Sequence, residues 1–236
     1  MKTQIRKNIF ETNSSSMHAI TVTAKKTNVY TGFCCDFVTG EFGWEHITYY
    51  DFQSKASYLW TAIVNKFIKY VEDEGTWKGS DGKKYSNYHY VFDKDNPQYI
   101  KYREAIRTAL IHAGIEDDGY SITFQEDFKD NGYGLGTGYI DHAPKESFIE
   151  SLVFNEDRLI RFLFNDKSQI TTWNDNEWYY EGEDEDDEIE PYPYEIDWDD
   201  EESLNKYHEW EDRENWKYFG INPDDPNIEW KYLKHN

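Results

Sequence analysis

Met17-His18-Ala19-Ile20-Thr21-Val22-Thr23-Ala24 is the stretch on which the fold class turns. His18, Ile20 and Val22 alternate with Ala19, Thr21 and Thr23, and a period of two in β-branched residues predicts a strand. Further on the period changes. Leu59, Ile63, Phe67 and Val71 recur every four residues, with Trp60, Val64 and Ile68 beside them. That spacing predicts a helix from Ser54, as its cap, to about Val71. Between the two, Val29–Trp44 reads as a hairpin turning at Thr39-Gly40-Glu41. The polar, glycine-containing segment 73–84 reads as a loop. Pro97 opens a second helix with Ile100, Ile106 and Leu110 inward and Gly114 as its stop. Tyr120–Phe124 reads as a short strand and Pro144–Val153 as a helix. Ser168–Tyr180 has room for a strand pair around Asn174-Asp175-Asn176, and Glu201–Phe219 is a last helix, aromatic along Tyr207, Trp210 and Trp216. Strands at both ends, about four helices and no regular βα alternation define an α+β fold with a mixed or antiparallel sheet. The expected organisation is an α+β core over 1–180, with an acidic, aromatic-rich strand–helix extension over 181–236 packed on it.

Composition narrows the function classes. The 236 residues hold 25 Lys+Arg against 47 Asp+Glu, a net charge of −22. Such a chain repels nucleic acid and anionic membranes, so neither is expected as a direct partner. Nine Trp, 20 Tyr and 14 Phe are far more aromatic residues than a disordered acidic chain carries, which argues for a folded protein. Apolar runs such as Leu59–Val64 and Leu159–Phe164 fall far short of the ~20 residues of a membrane span. Cys34 and Cys35 are adjacent, with neither a disulfide framework nor CxxC spacing, which fits free thiols in a reducing cytoplasm. The opening MKTQIRKNIFET is basic without an apolar stretch and does not read as a secretory signal.

The charge is not evenly spread. Residues 1–110 carry 15 basic and 12 acidic side chains, a net of +3, whereas residues 111–236 carry 10 and 35, a net of −25. The densest run, EGEDEDDEIEPYPYEIDWDDEE at 181–202, has 14 acids and no Lys or Arg. Its first part holds Glu183, Asp184, Glu185, Asp186, Asp187, Glu188 and Glu190. From Pro191 the pattern alternates: Tyr192, Tyr194, Ile196 and Trp198 against Pro193, Glu195, Asp197 and Asp199. This predicts an edge strand with its carboxylates outward. Asp199 and Asp200 then lead into the last helix, where acids suit the positive end of the helix dipole. These eleven carboxylates, from Glu183 to Asp200, are the candidate partner-binding residues.

Three polar motifs are candidates for chemistry. Phe10-Glu11-Thr12-Asn13-Ser14-Ser15-Ser16-Met17-His18 places a carboxylate, an amide, three serines and an imidazole ahead of the first strand. Such a turn can serve phosphate or metal binding with His18 as ligand or base, but its residue types better suit a capped turn in which Asn and Ser bond local backbone. Glycine at every second position from 132 to 138 does not make a phosphate cradle, because Ile140-Asp141-His142-Ala143 separates it from the next helix. The first motif resembles the ETNSSSxH signature of a widespread group of tailed-phage and prophage proteins. Gly138-Tyr139-Ile140-Asp141-His142, and Phe162-Leu163-Phe164-Asn165-Asp166-Lys167-Ser168 followed by Asn174-Asp175-Asn176, also resemble that group. The group has no established activity, so the resemblance implies a phage or mobile-element origin rather than a reaction. It nominates Glu11, Ser14, His18, Asp141, His142 and Asp175 as a shared polar site, in which His18, Asp141, His142 and Asp175 are of the right types to hold a divalent metal.

Two functions follow from these readings, and a third is compatible with them. A folded acidic surface can occupy the basic channel of a host nucleic-acid-binding effector or nuclease. That describes an anti-CRISPR or restriction-inhibitor protein acting as a nucleic-acid mimic without any cofactor. The polar motifs instead suit a metal-assisted hydrolase or transferase acting on a phosphate-containing substrate. In a phage structural or assembly protein the acidity is a surface property only.

Overall fold

The alternation at 17–24 does form a strand, and the rest of the molecule is arranged around it. The computed structural model describes residues 16–29, 32–43, 46–78, 80, 82–129, 135–141, 143–174 and 200–234. In chain order the elements are β1 (Ser16–Thr23), β2 (Cys35–Phe37), β3 (Glu41–Phe42), β4 (Ile47–Tyr49), α1 (Phe52–Val64), a 3-10 turn (Asn65–Phe67), β5 (Ile68–Lys78), β6 (Lys84–Phe92), α2 (Pro97–His112), β7 (Ile122–Phe124), β8 (Tyr139–Ile140), α3 (Glu146–Val153), α4 (Glu156–Phe164), β9 (Gln169–Asn174), α5 (Glu201–Tyr218) and β10 (Ile228–Lys234). The fold class is α+β, with five α-helices rather than four among the described residues.

The main sheet has the order β10-β1-β9-β4, with every neighbour antiparallel. β1 lies inside it, with His18 opposite Lys234 on one side and Thr172 on the other. β10 completes this sheet by pairing with β1. Alternation sends Ile20 and Val22 into the large cluster shared with α1, α2, α3 and α4, and Ala19 into a small cluster with Trp216, Phe219 and Ile221. The sheet is thus covered on both faces, by four helices on one and by α5 on the other.

α1 is the central helix. Every residue from Lys55 to Val64 is buried, as expected of a helix whose small residues (Ala56, Ser57, Thr61, Ala62) let neighbours approach on all sides. Asp51 caps it by accepting from the Ser54 amide at 2.8 Å, so Ser54 is the third helical residue and not the cap. The far end of the sheet is held by Arg161 of α4, only 4% exposed. Its guanidinium donates to Thr23 O at 2.8 Å and pairs with Glu229 of β10 and Asp157.

Four sequence expectations are corrected. The helix from Ser54 ends at Val64, and Ile68–Val71 begin β5. An every-fourth-residue pattern ending in Ile-Lys-Tyr-Val also satisfies a strand, and the 3-10 turn Asn65–Phe67 separates the two. Segment 73–84 is consequently not one loop, because β5 runs to Lys78 and pairs with β6. Val29–Trp44 is not a hairpin either. β2 pairs with β7 and β3 with β8, both in parallel, through partners about 90 residues away that local pattern does not reveal. In α2 the buried stripe is Tyr99, Tyr102, Ile106, Ala109 and Leu110, which leaves Ile100 at 38% exposure. No helix among the described residues is long and apolar enough to cross a membrane.

Candidate functional site

His18 points from β1 toward α1. Its Nδ1 shares a 2.6 Å hydrogen bond with the Tyr58 hydroxyl. Both groups are buried, at 1% and 0% exposure, and burial holds the Tyr58 phenol well above its usual pKa. Tyr58 therefore stays a neutral phenol. It donates to Nδ1 when the ring proton is on Nε2, and accepts from Nδ1–H in the other tautomer. Phe42 packs edge-on against Tyr58, 5.2 Å between ring centroids, and completes the wall.

Asp141 reaches the same place from the other side of the chain. It follows β8, and its amide donates to Phe42 O at 2.9 Å, extending the β3–β8 ladder by one bond. Its carboxylate accepts from the Tyr139 hydroxyl at 3.0 Å, and with burial this raises the Tyr139 pKa. Gly43 separates Asp141 from His18. A Cβ on Gly43 would stand 2.8 Å from the Asp141 Cβ and 3.1 Å from His18 Nε2, and the residue has φ +104°. Only glycine suits that position, on both counts. His18 and Asp141, 123 positions apart in sequence, thus lie on either side of Gly43, near the junction of β1, β3 and β8.

The alternating glycines have a local explanation at their last member. Gly138 (φ +69°) crosses Gly40 so closely that a Cβ would sit 2.2 Å from Gly40 O. Tyr139 N donates to that same oxygen at 2.9 Å, and Gly40 N donates to Thr61 Oγ1 of α1. The crossing fixes where β8 starts, and hence where Asp141 lies.

Of the residues nominated from sequence, His18 and Asp141 lie on either side of Gly43. Glu11, Ser14, His142 and Asp175 lie outside the described residues. Among the described residues no group of three or more His, Cys, Asp or Glu gathers. His18 and Asp141 are one nitrogen and one carboxylate of the types that bind a divalent ion. Of the acidic candidates, Glu183–Glu190, Glu195, Asp197 and Asp199 also lie outside the described residues. Asp200 caps α5, accepting from Ser203 N at 3.0 Å, and Glu201 and Glu202 follow in the first turn.

The third motif has a structural role. Asn165 O and Ser168 O both accept from the Lys55 ammonium, at 2.8 and 3.1 Å, and Ser168 Oγ donates to Arg161 O. Lys55 is fully buried, and burial lowers its pKa to about 8. Sequence reading missed Lys55, Tyr58 and Gly43. Lys55 had a usable signal, since it precedes Leu59 by four on the apolar stripe of α1. Both cysteines are free, Cys34 exposed and Cys35 buried, and burial with the neighbouring Asp36 pushes the Cys35 thiol up to about 12. The chain matches no family model, no curated protein and no solved structure.

Proposed function

We propose that this is a phage or mobile-element protein that inhibits a host nucleic-acid-targeting defence system by placing carboxylates where that system binds nucleic acid. The supporting observation is the segregation of charge, +3 in residues 1–110 against −25 in residues 111–236. Within the acidic half, α5 is seated by Trp216 and the following Phe219 and Ile221, while Glu201, Glu202, Glu209 and Asp212 are exposed. Acids on a seated helix keep their spacing, which a mimic requires and a solubilising tail does not. The run at 181–202, of which 181–199 lie outside the described residues, adds 14 acids in 22 residues. The partner in this reading is basic, and neither nucleic acid nor a cofactor is bound directly.

The test is capture of a stoichiometric basic protein from bacterial lysate, followed by competition with DNA or RNA. Nucleic acid should displace the protein, and binding should weaken steeply with salt. Changing Glu195, Asp197, Asp199, Glu202, Glu209 and Asp212 to Asn or Gln should reduce binding without unfolding the chain. Undiminished binding at every salt concentration would refute the mimicry.

The placement of His18 and Asp141 on either side of Gly43 favours a second reading, a metal-assisted hydrolase or transferase acting on a phosphate-containing substrate. His18 and Asp141 would be two of the ligands, and the ion would supply Lewis-acid activation of a phosphoryl oxygen. Elemental analysis after chelator-free purification distinguishes the two. A stoichiometric divalent ion lost in His18→Ala would support this reading over the first.

A further inference from the structure

We propose that a cleft on the α5 face of the main sheet, between the β1–β9 pair and the turn joining α5 to β10, binds a compact phosphate monoester. It shares no residue with either reading above. Alternation along β1 sends Thr21 to the same side as Ala19, away from His18. Lys231, opposite Thr21 on β10, marks that side, with its ammonium 5.8 Å from the centroid of the Trp216 ring of α5. Gln169 stands opposite Thr21 on β9. With Thr23 these two line a cleft of about 230 Å³, room for about seven water molecules. The two threonines differ. Thr23 Oγ1 donates to Asn227 O and accepts from Lys25 N, both at 3.2 Å, so its hydroxyl is satisfied. Thr21 is 2% exposed, yet its hydroxyl has no hydrogen-bond partner among the described residues. A buried hydroxyl in that state favours any group that enters the cleft and bonds it.

The opposite wall is fixed by its own backbone. Gly220, at φ +67°, donates to Lys217 O at 2.8 Å, and Ile221 N donates to Trp216 O at 2.9 Å, which ends α5. Asp225 N then donates to Asn222 O, and Ile228 N to Asp225 O. Asn222 Oδ1 accepts from Asp224 N at 3.0 Å, which leaves its side-chain nitrogen to donate. Charge selects the ligand. Lys25 and Lys167 line the cleft, both exposed and neither in an ion pair with a described residue. The cleft has one carboxylate, Asp225, whose Oδ1 accepts from Asn227 N and Nδ2 at 2.8 and 2.7 Å. Asn227, with a smaller pull from Lys25, holds that carboxyl below its usual pKa. Asp224, on the same turn, is paired with Arg213. Two ammoniums against one carboxylate leave the cleft positive in a chain of −22. Acids elsewhere are screened over ~8–10 Å, so the local lysines set the sign. A phosphate monoester carries about −1.5 to −2 at pH 7 and matches two ammoniums better than a carboxylate does. Its hydroxyl-bearing body lies on Thr21 and Gln169, where it completes the bonding of the Thr21 hydroxyl.

Titration calorimetry of the full chain with glycerol 3-phosphate, inorganic phosphate and glycerol tests this. Glycerol 3-phosphate should bind saturably with a Kd below about 1 mM, inorganic phosphate at least about threefold more weakly, and glycerol not at all. Changing Lys25 and Lys167 together to Gln should weaken glycerol 3-phosphate binding more than about tenfold. Thr21→Val should weaken it by about three- to tenfold. The same substitution should leave the urea midpoint of the free protein unchanged or raised, because the hydroxyl it removes has no partner there. That combination separates a ligand-facing hydroxyl from a structural one. Added chelator should leave the affinity unchanged, which sets this cleft apart from a metal-held substrate at His18 and Asp141. No saturable binding up to about 10 mM, or equal affinity for inorganic phosphate, would overturn the proposal. So would an affinity unmoved by the lysine pair or lost in chelator, or a Thr21→Val chain that is less stable and binds as before.

Discussion

Strands β1, β9 and β10 present one backbone to two unequal layers. On one face Ile20, Val22 and Ile170 join a cluster that spans α1, α2, α3 and α4 and includes Trp60, Tyr58, Tyr99 and Tyr102. On the other, Ala19 meets only Trp216, Phe219 and Ile221, with Trp173, Ile228 and Leu233 partly covering them. Polar groups follow the same division. On the thick face His18, Lys55 and Arg161 are buried, with hydrogen-bond partners at 2.6 to 3.1 Å. On the thin face α5 turns Glu201, Glu202, Glu209 and Asp212 to solvent. Burying a polar group requires paying for it with a positioned partner, so the thick face specifies the fold. The thin face holds a helix in place and leaves its charges for something else.

The sharpest way to break the thick face is at the chain crossing beside α1. Gly138→Ala would put a methyl 2.2 Å from Gly40 O in a backbone that L-residues avoid, and neither strand has a flexible side chain to yield. We expect a loss of about 4 kcal/mol or more in urea unfolding. Gly136→Ala is the control: φ is +63° but the space around it is open, so the cost should be about 1 kcal/mol. Equal losses would mean that the crossing can open.

The contrast itself is tested by one substitution on each face. Ile20→Ala should lower global stability by about 2–5 kcal/mol, because a wholly buried side chain leaves a cavity in a packed cluster. Trp216→Ala should act locally, releasing α5 so that its amides exchange rapidly while β1 and β9 stay protected. If α5 keeps its protection and the global midpoint falls as far as for Ile20→Ala, the two faces are one cooperative layer.

How much of this the sequence discloses depends on how local each cause is. β1, α2, α3 and α5 are legible because a two- or four-residue period, a cap or a proline lies within the element. Pro97 following Asn96, whose side chain accepts from Gln98 N, is one such cause. The parallel β2–β7 and β3–β8 pairs are not legible, since their partners are distant and the deciding contact is a glycine crossing. At the site, His18 and Asp141 were nominated by their motifs. Their placement around Gly43 depends on the β3–β8 ladder, which no spacing announces. Lys55 looks like a surface lysine on a helix until its neighbours on the stripe are known to be buried.

The smallest expected effect tests whether the thick face stays closed as pH rises. Burial lowers Lys55 from 10.5 to about 8, although Asp51 and Asp166 pull the other way. Between pH 8 and 10.5 the unfolded chain therefore holds more protons at this lysine than the folded one, and stability rises with pH. From pH 7 to pH 9 the gain is about 1 kcal/mol. Cys35 works against it. Its thiol is raised from 9.0 to about 12, so the unfolded chain loses that proton first and stability falls as pH passes 9. The wild-type profile is the sum of opposing slopes and is not diagnostic. The difference between wild type and Lys55→Met is, because Cys35 cancels in it. Unfolding midpoints in urea at pH 7, 8 and 9 should show wild type gaining on Lys55→Met by about 1 kcal/mol across the range. A constant difference would mean that Lys55 titrates as a solvated amine, and that water reaches the end of α4 where Asn165 and Ser168 hold it.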